Sequence, residues 1–252
     1  MYDPPGYLWV MVMAGIIAIL ATTCVVLYGG AMRAGLGRSR AGLLAGGAAV
    51  VLGGWFTASA VIADHGWYHT KLGHGVPWMP VAVVGFLGLV LALSRIPVVV
   101  RALRAPGMVA RLELPHAFRA VDGVAFLIIM GLGHLPALWA LPAGLGDIAA
   151  GVAAPFIARK LARGTGRRGA LWFNAFGLTD LTVALALGAV TAYQLIHVTP
   201  SGAPISELPI AVVPTVGVPL LFAIHITSVA ALARARRAPR PAANSPLTVA
   251  AK

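Results

Sequence analysis

The chain has 252 residues, of which 59% are hydrophobic and only 10% are charged, and its formal net charge is +12. A soluble domain carries about 25% charged residues, so this composition excludes an ordinary water-soluble protein and makes lipid the expected solvent. The single cysteine, Cys24, excludes an intrachain disulfide and any CxxC metal or redox motif.

A membrane-spanning helix needs about 20 mainly apolar residues. The first such run has no Lys or Arg before Arg33, which predicts a retained helix rather than a cleaved signal peptide. In chain order, the predicted spans are residues 7–30, 42–63, 78–94, 118–138, 142–161, 170–196 and 208–233. The fourth and fifth are separated only by the stretch from Pro136 to Pro142, so a broken or re-entrant pair is the alternative for them.

The expected fold is therefore all-α, a transmembrane bundle of seven helices within residues 1–236. Residues 237–252 are rich in Pro and Ala and have no apolar period, which predicts a disordered cytoplasmic tail.

Basic residues lie in alternate connections between these spans. Of the 19, 18 follow the first, third, fifth or seventh span, and only Lys71 follows the second. The positive-inside rule then predicts the N-terminus outside and the C-terminus in the cytoplasm. Because the charge is explained by topology, the lipid bilayer is the expected partner and nucleic acid is not. The excess of Arg over Lys, 16 to 3, suits a GC-rich bacterial genome and hence a bacterial cytoplasmic membrane.

Polar groups inside the spans are the candidates for function, because a charge near the bilayer centre costs several kcal/mol and normally has a partner. Counting about 1.5 Å per residue predicts His134, Asp147 and His197 near the outer surface and Asp180 at mid-membrane. The same counting places Asp122 near the cytoplasmic end of its span. The candidates for a ligand or proton pathway are Asp122, His134, Asp147, Asn174, Asp180, His197, Thr215 and His225.

Asp147 follows a proline that is well placed to start the fifth span, since a first-turn proline loses no helical hydrogen bond. The small residues Gly146, Ala150 and Ala154 are spaced by four, a pattern that allows helices to pack closely. We expect Asp147 in a tight helix contact, either as a structural hydrogen bond or in a ligand or proton site.

Asp180 has no Lys or Arg at its predicted depth. We therefore expect it to be neutral, to pair with a His or a neutral polar group, or to face water. A protonatable carboxyl at the membrane centre is typical of proton relays and coupled carriers.

The seventh span contains Pro209, Pro214 and Pro219, and interior prolines free a carbonyl and bend a helix. Thr215 is placed to satisfy the break locally, and a substrate or ion pocket there is the alternative. His225 is expected to pair with Asp122 in the inner leaflet.

Metal and cofactor sites have weaker support. His65, His69 and His74 lie between the second and third spans with ligand-like spacing, but no second ligand-rich loop completes the set. A haem would need two histidines at one depth, a condition that His134 and His197 meet. Retinal is excluded because its lysine would have to lie inside the bundle, and no cofactor is required by the sequence.

The run LPAGLGD, with VPTVGVPLLFAIHI further on, resembles a group of uncharacterised polytopic bacterial membrane proteins over residues 115–233. That resemblance implies no activity, so we assign no reaction and expect no enzyme. The leading hypothesis is a carrier of an ion or small molecule, coupled to protons, or a small-ligand-binding membrane protein. The alternatives are a membrane subunit with purely structural polar residues and a metal- or haem-binding redox protein.

Overall fold

The structure is a computed structural model that describes residues 4–69 and 75–237. Within these ranges the chain is helical and has no β-strand. The helices are α1 (Gly6–Arg33), α2 (Gly37–Asp64), α3 (Trp78–Leu93), α4 (Pro97–Leu103), α5 (Met108–Leu112), α6 (Arg119–Gly131), α7 (Ala137–Ala162), α8 (Arg167–Ala192) and α9 (Val218–Arg237). Short 3₁₀ turns cover Leu114–Phe118 and Ala203–Ser206, and a π-helical turn covers Val213–Gly217.

Among the described residues, six helical segments are long and apolar enough to cross a membrane. They are α1, α2, Met108–Gly131, α7, α8 and Val213–Arg234. A seventh span results only if α3 and α4, which meet at an 84° bend, count as one. The predicted helical membrane bundle is confirmed at this level, while the orientation and the count of seven stay predictions.

The predicted boundaries of the fourth and fifth spans were wrong. The fourth span begins at Met108 rather than at 118, because α5, the 3₁₀ turn and α6 follow one another into a single segment ending at Gly131. The fifth begins at Ala137, so Pro142 lies inside α7 instead of starting it. Both changes move the polar residues of these spans toward the middle of the bundle.

α7 lies between α6 and α8 and packs closely on both, as its small residues predict. Gly146, Ala150 and Ala154 are all buried. α2, in contrast, buries only four of its residues, which leaves most of its apolar surface for lipid.

The predicted break in the last span is confirmed in the π-helical turn. The Thr215 hydroxyl donates to the Ala211 carbonyl at 2.6 Å and also lies 2.6 Å from the Ser59 hydroxyl. The Thr215 carbonyl accepts from the Trp55 indole at 2.9 Å. Irregular backbone at membrane depth is tolerated where protein groups satisfy it. Thr215 therefore has a structural role here.

The predicted disordered tail, apart from residue 237, and the positions Lys71 and His74 lie outside the described residues.

Candidate functional site

Arg119 is the centre of a buried ionic cluster, with a side chain only 1% exposed. Its Nε donates to Asp147 Oδ1 of α7 at 2.7 Å, and its Nη2 donates to Asp180 Oδ2 of α8. One guanidinium therefore joins the carboxylates of two neighbouring spans. Arg119 Nη1 has no hydrogen-bond partner among the described residues.

A third carboxylate, Asp122, lies one turn after Arg119 and is 2% exposed. It packs against α1, where a Cβ added to Gly15 would lie 2.5 Å from Asp122 Oδ1. That oxygen is buried without a hydrogen-bond partner in the described part of the chain. The cluster thus holds more carboxylates than cations.

Gly146 allows α7 and α8 to approach at this cluster. A Cβ at this position would overlap the Asp180 carboxylate, so any larger residue would displace the ion pair. Glycine is required at this position because a side chain would not fit, and not because the backbone is left-handed.

A second polar cluster lies where α5, the 3₁₀ turn, α8 and α9 meet, and all its members are buried. Asn174 Nδ2 donates to Glu113 Oε1 at 3.0 Å, and Ser228 Oγ donates to the same oxygen at 2.8 Å. His225 Nδ1 lies 2.8 Å from Asn174 Oδ1, and its ring stacks on His116 with centroids 3.9 Å apart. This cluster contains the neutral side chains of Asn174 and Ser228, whereas every member of the Arg119 cluster is ionisable.

A cavity of about 340 Å³ reaches the ionic cluster at Asp147. Its walls come mainly from apolar residues of α3, α7 and α8, including Val83, Trp139 and Leu185. The Trp139 indole donates to the Ala184 carbonyl at 2.9 Å, which fixes that ring beside the cavity.

The structure brings together four of the predicted residues in two separate places. Asp147 and Asp180 meet at Arg119, and Asp122 lies one turn away. Asn174 and His225 meet each other.

Three predicted arrangements were wrong. The outer site of His134, Asp147 and His197 does not form, because Asp147 lies ten residues, or about 15 Å, inside α7 and pairs with Arg119. His134 and His197 lie in exposed connections beyond the helices. His225 bonds to Asn174 rather than to Asp122. Asp180 was predicted to have no Lys or Arg at its depth, but Arg119 donates a hydrogen bond to it.

The histidines of the connection after α2 do not combine with each other in the described residues. His65 Nδ1 lies 2.8 Å from the Val61 carbonyl of its own helix. His69 Nε2 lies 3.4 Å from Glu207 Oε1.

Sequence reasoning missed Glu113, His116, Arg119 and Ser228. The first three, with Asp122, follow each other at intervals of three in ELPHAFRAVD. Residues three apart are neighbours on one side of a 3₁₀ or an α-helical turn, so such spacing places successive members of the series side by side. This periodicity, which mean hydropathy cannot detect, was available in the sequence.

These features define a class: a polytopic helical membrane protein with charged and imidazole groups paired inside the bundle. Residues 76–233 match the model of a family described as Domain of unknown function (DUF8737), and the chain belongs to that family. The match spans every residue of both polar clusters. No curated protein and no solved structure matches the chain.

Proposed function

We propose that this protein is a proton-coupled carrier of a small, mainly apolar molecule across the membrane. The observation that carries the proposal is the sharing of one buried guanidinium, Arg119, by carboxylates of two spans, with a third carboxylate one turn away.

The charge balance of this cluster supports exchange of a proton or cation. Asp122, Asp147 and Asp180 face the single cation Arg119, and the Asp147 and Asp180 side chains are 12% and 10% exposed. Uncompensated charge is costly in a bundle interior. The cluster therefore approaches neutrality only by holding protons or a cation, which is the property that a coupling site needs.

The cavity supports a small apolar solute. Its volume of about 340 Å³ lies in the range of ligand pockets, about 300–1,000 Å³, which are mostly apolar with a few polar groups. Asp147 is the charged group in its wall, so a solute there lies directly beside the ion pair.

Coupling follows from the position of Arg119. A proton on Asp180 removes one of the two charges that hold the guanidinium and weakens the link between α7 and α8. Since both helices line the cavity, loosening that link changes access to it. The direct contact of the solute with Asp147 makes the effect reciprocal, as linkage requires.

Proton flux in proteoliposomes tests this proposal. Purified protein is reconstituted with a pH-sensitive dye inside, a pH difference is imposed with valinomycin and potassium to compensate charge, and decay of the gradient is followed. We expect the wild type to dissipate the gradient and Asp180→Asn to hold it, because Asn keeps the shape but does not titrate.

Asp64→Asn is the matched control, since Asp64 is exposed at the end of α2. It should behave like the wild type. Wild-type flux that persists undiminished in Asp180→Asn would contradict the proton pathway and favour a structural subunit.

A further inference from the structure

We propose that Glu113, His116 and His225 form a binding site for a divalent transition metal ion, with zinc the expected ion. Each residue offers one ligand atom, and these atoms all lie within 4.8 Å of one another. All three residues are fully buried. The site is separate from the Arg119 ion pairs and does not depend on the proposed carrier function.

The unpartnered atoms of this group are the ones that a metal would use. Glu113 Oε2, both ring nitrogens of His116 and His225 Nε2 are buried and make no hydrogen bond within the described chain. A buried polar group left unpaired destabilises the fold. Several such groups at one place, all of them metal-ligating, point to one common partner.

Asn174 fixes the tautomer of His225. Its amide nitrogen donates to Glu113 Oε1 at 3.0 Å and to the Ala170 carbonyl at 2.8 Å, so its oxygen is the atom that faces His225. His225 Nδ1 must then carry the hydrogen and donate it, which leaves a lone pair on Nε2. A metal-binding histidine is typically oriented by a hydrogen bond of this kind.

Glu113 is oriented in the same way. Its Oε1 accepts from both Asn174 and Ser228, so Oε2 is the oxygen left for a ligand. Asn174 thereby orients two of the three ligands, Glu113 and His225, as residues behind metal ligands typically do.

Gly177 of α8 lies against His225. A Cβ there would overlap the ring of His225 at Nε2 and Cε1, so glycine is required for the ring to hold its position against α8.

The donor set selects the class of metal. Two imidazoles and one carboxylate suit zinc and other first-row divalent ions, whereas Mg²⁺ and Ca²⁺ prefer oxygen ligands. A dication also compensates charge, because the two groups that donate to Glu113, Asn174 and Ser228, are neutral. Three protein ligands leave one tetrahedral position for water or another molecule.

Metal analysis of protein purified with a tag that lacks histidine tests the site. The chain is stripped with chelator in detergent, titrated with Zn²⁺ or Co²⁺, and measured for bound metal and for the cobalt d–d absorption bands. We expect about one ion per chain in the wild type, with tetrahedral cobalt bands, and a rise in melting temperature on binding.

His116→Ala and Glu113→Gln should each abolish the cobalt bands. Each should also lower the affinity for metal by more than the roughly 10–100-fold that is lost when a residue that only orients a ligand is changed. Ser228→Ala should retain the site with weaker binding in that range. His65→Ala, at an exposed histidine, is the matched control and should bind like the wild type. Glu113→Gln keeps the side-chain shape and gives the same reading if His116→Ala fails to fold.

Two results would overturn the proposal. One is a stripped wild type that takes up neither ion. The other is unchanged stoichiometry and affinity in a folded His116→Ala or Glu113→Gln variant.

Discussion

Removal of Arg119 should destabilise the bundle far more than removal of either carboxylate that it binds. Arg119→Gln leaves Asp147 and Asp180 buried and without a counter-charge, and breaking a buried pair in this way costs about 3–5 kcal/mol. For a chain of this size, that corresponds to a melting temperature lower by about 6–20 °C.

Asp180→Asn is expected to be mild by comparison. The asparagine oxygen still accepts from Arg119, so the bond changes from a charged to a neutral one at a cost of about 1 kcal/mol. Asp147 remains to balance the guanidinium. The asymmetry follows from the excess of carboxylates over cations in this cluster.

The decisive comparison is the triple variant Arg119→Gln, Asp147→Asn, Asp180→Asn. It removes both carboxylates that Arg119 binds and leaves Asp122 as the ionisable group of the cluster, so it should recover most of the stability lost in Arg119→Gln. The assay is tryptophan fluorescence during thermal unfolding in detergent, with steric trapping in bicelles for the free energy. Equal losses in Arg119→Gln and Asp180→Asn, or no recovery in the triple variant, would refute the reasoning from charge balance.

Three further expectations concern packing, titration and topology. Gly146→Ala should lower the free energy of unfolding by about 1–3 kcal/mol, because the added methyl group overpacks the ion pair. Gly54 has open space around it, so the control Gly54→Ala should be neutral or stabilising. Equal shifts of the melting temperature in the two variants would contradict this expectation. Burial raises the pKa of Tyr68 above its usual 10. The neutral phenol therefore stabilises the fold below pH 10, and this contribution is lost as the pH rises through the raised pKa. Tyrosinate absorbance, with Tyr68→Phe as the reference, measures the pKa, and ionisation of Tyr68 at the usual pH would disprove the prediction. In a cysteine-free background, Leu195→Cys should be labelled only from outside and Thr165→Cys only from inside, and labelling of both from one face would rule out the predicted orientation.

Apolar runs predicted the helices of this protein well, since lipid solvation requires about 20 apolar residues wherever a helix crosses. α1 and α8 begin within about three residues of their predicted starts. The break at Thr215 was also predictable, because proline chemistry is local, but the Trp55 indole that satisfies the Thr215 carbonyl comes from another helix.

The fourth span was predicted poorly for the opposite reason. Glu113, His116 and Arg119 lower the hydropathy of its first half, so the segment looks like a basic connection, although these groups are buried inside the bundle. Composition cannot distinguish a charge in water from a charge with a buried partner. Only the spacing by three separates the two cases.

The wrong start of the fifth span also made the predicted depth of Asp147 wrong. Starting the fifth span five residues late shifts Asp147 by about 7.5 Å along the helix axis, which moved it from the middle of α7 to the level of the outer histidines. Which carboxylate meets Arg119 depends on the rotation and register of three helices, and a single sequence contains no direct measure of either.

The two polar clusters share the same pair of spans, and this has a mechanical consequence. The segment Met108–Gly131 supplies Glu113 to one cluster and Arg119 to the other, while α8 supplies Asn174 and Asp180 in the same way. Both links connect the same two nearly rigid helices, so a sliding or tilting motion that separates Arg119 from Asp180 also pulls Asn174 from Glu113. The Asn174–Glu113 hydrogen bond and the Arg119–Asp180 ion pair therefore depend on one helix interface, without any side chain common to both.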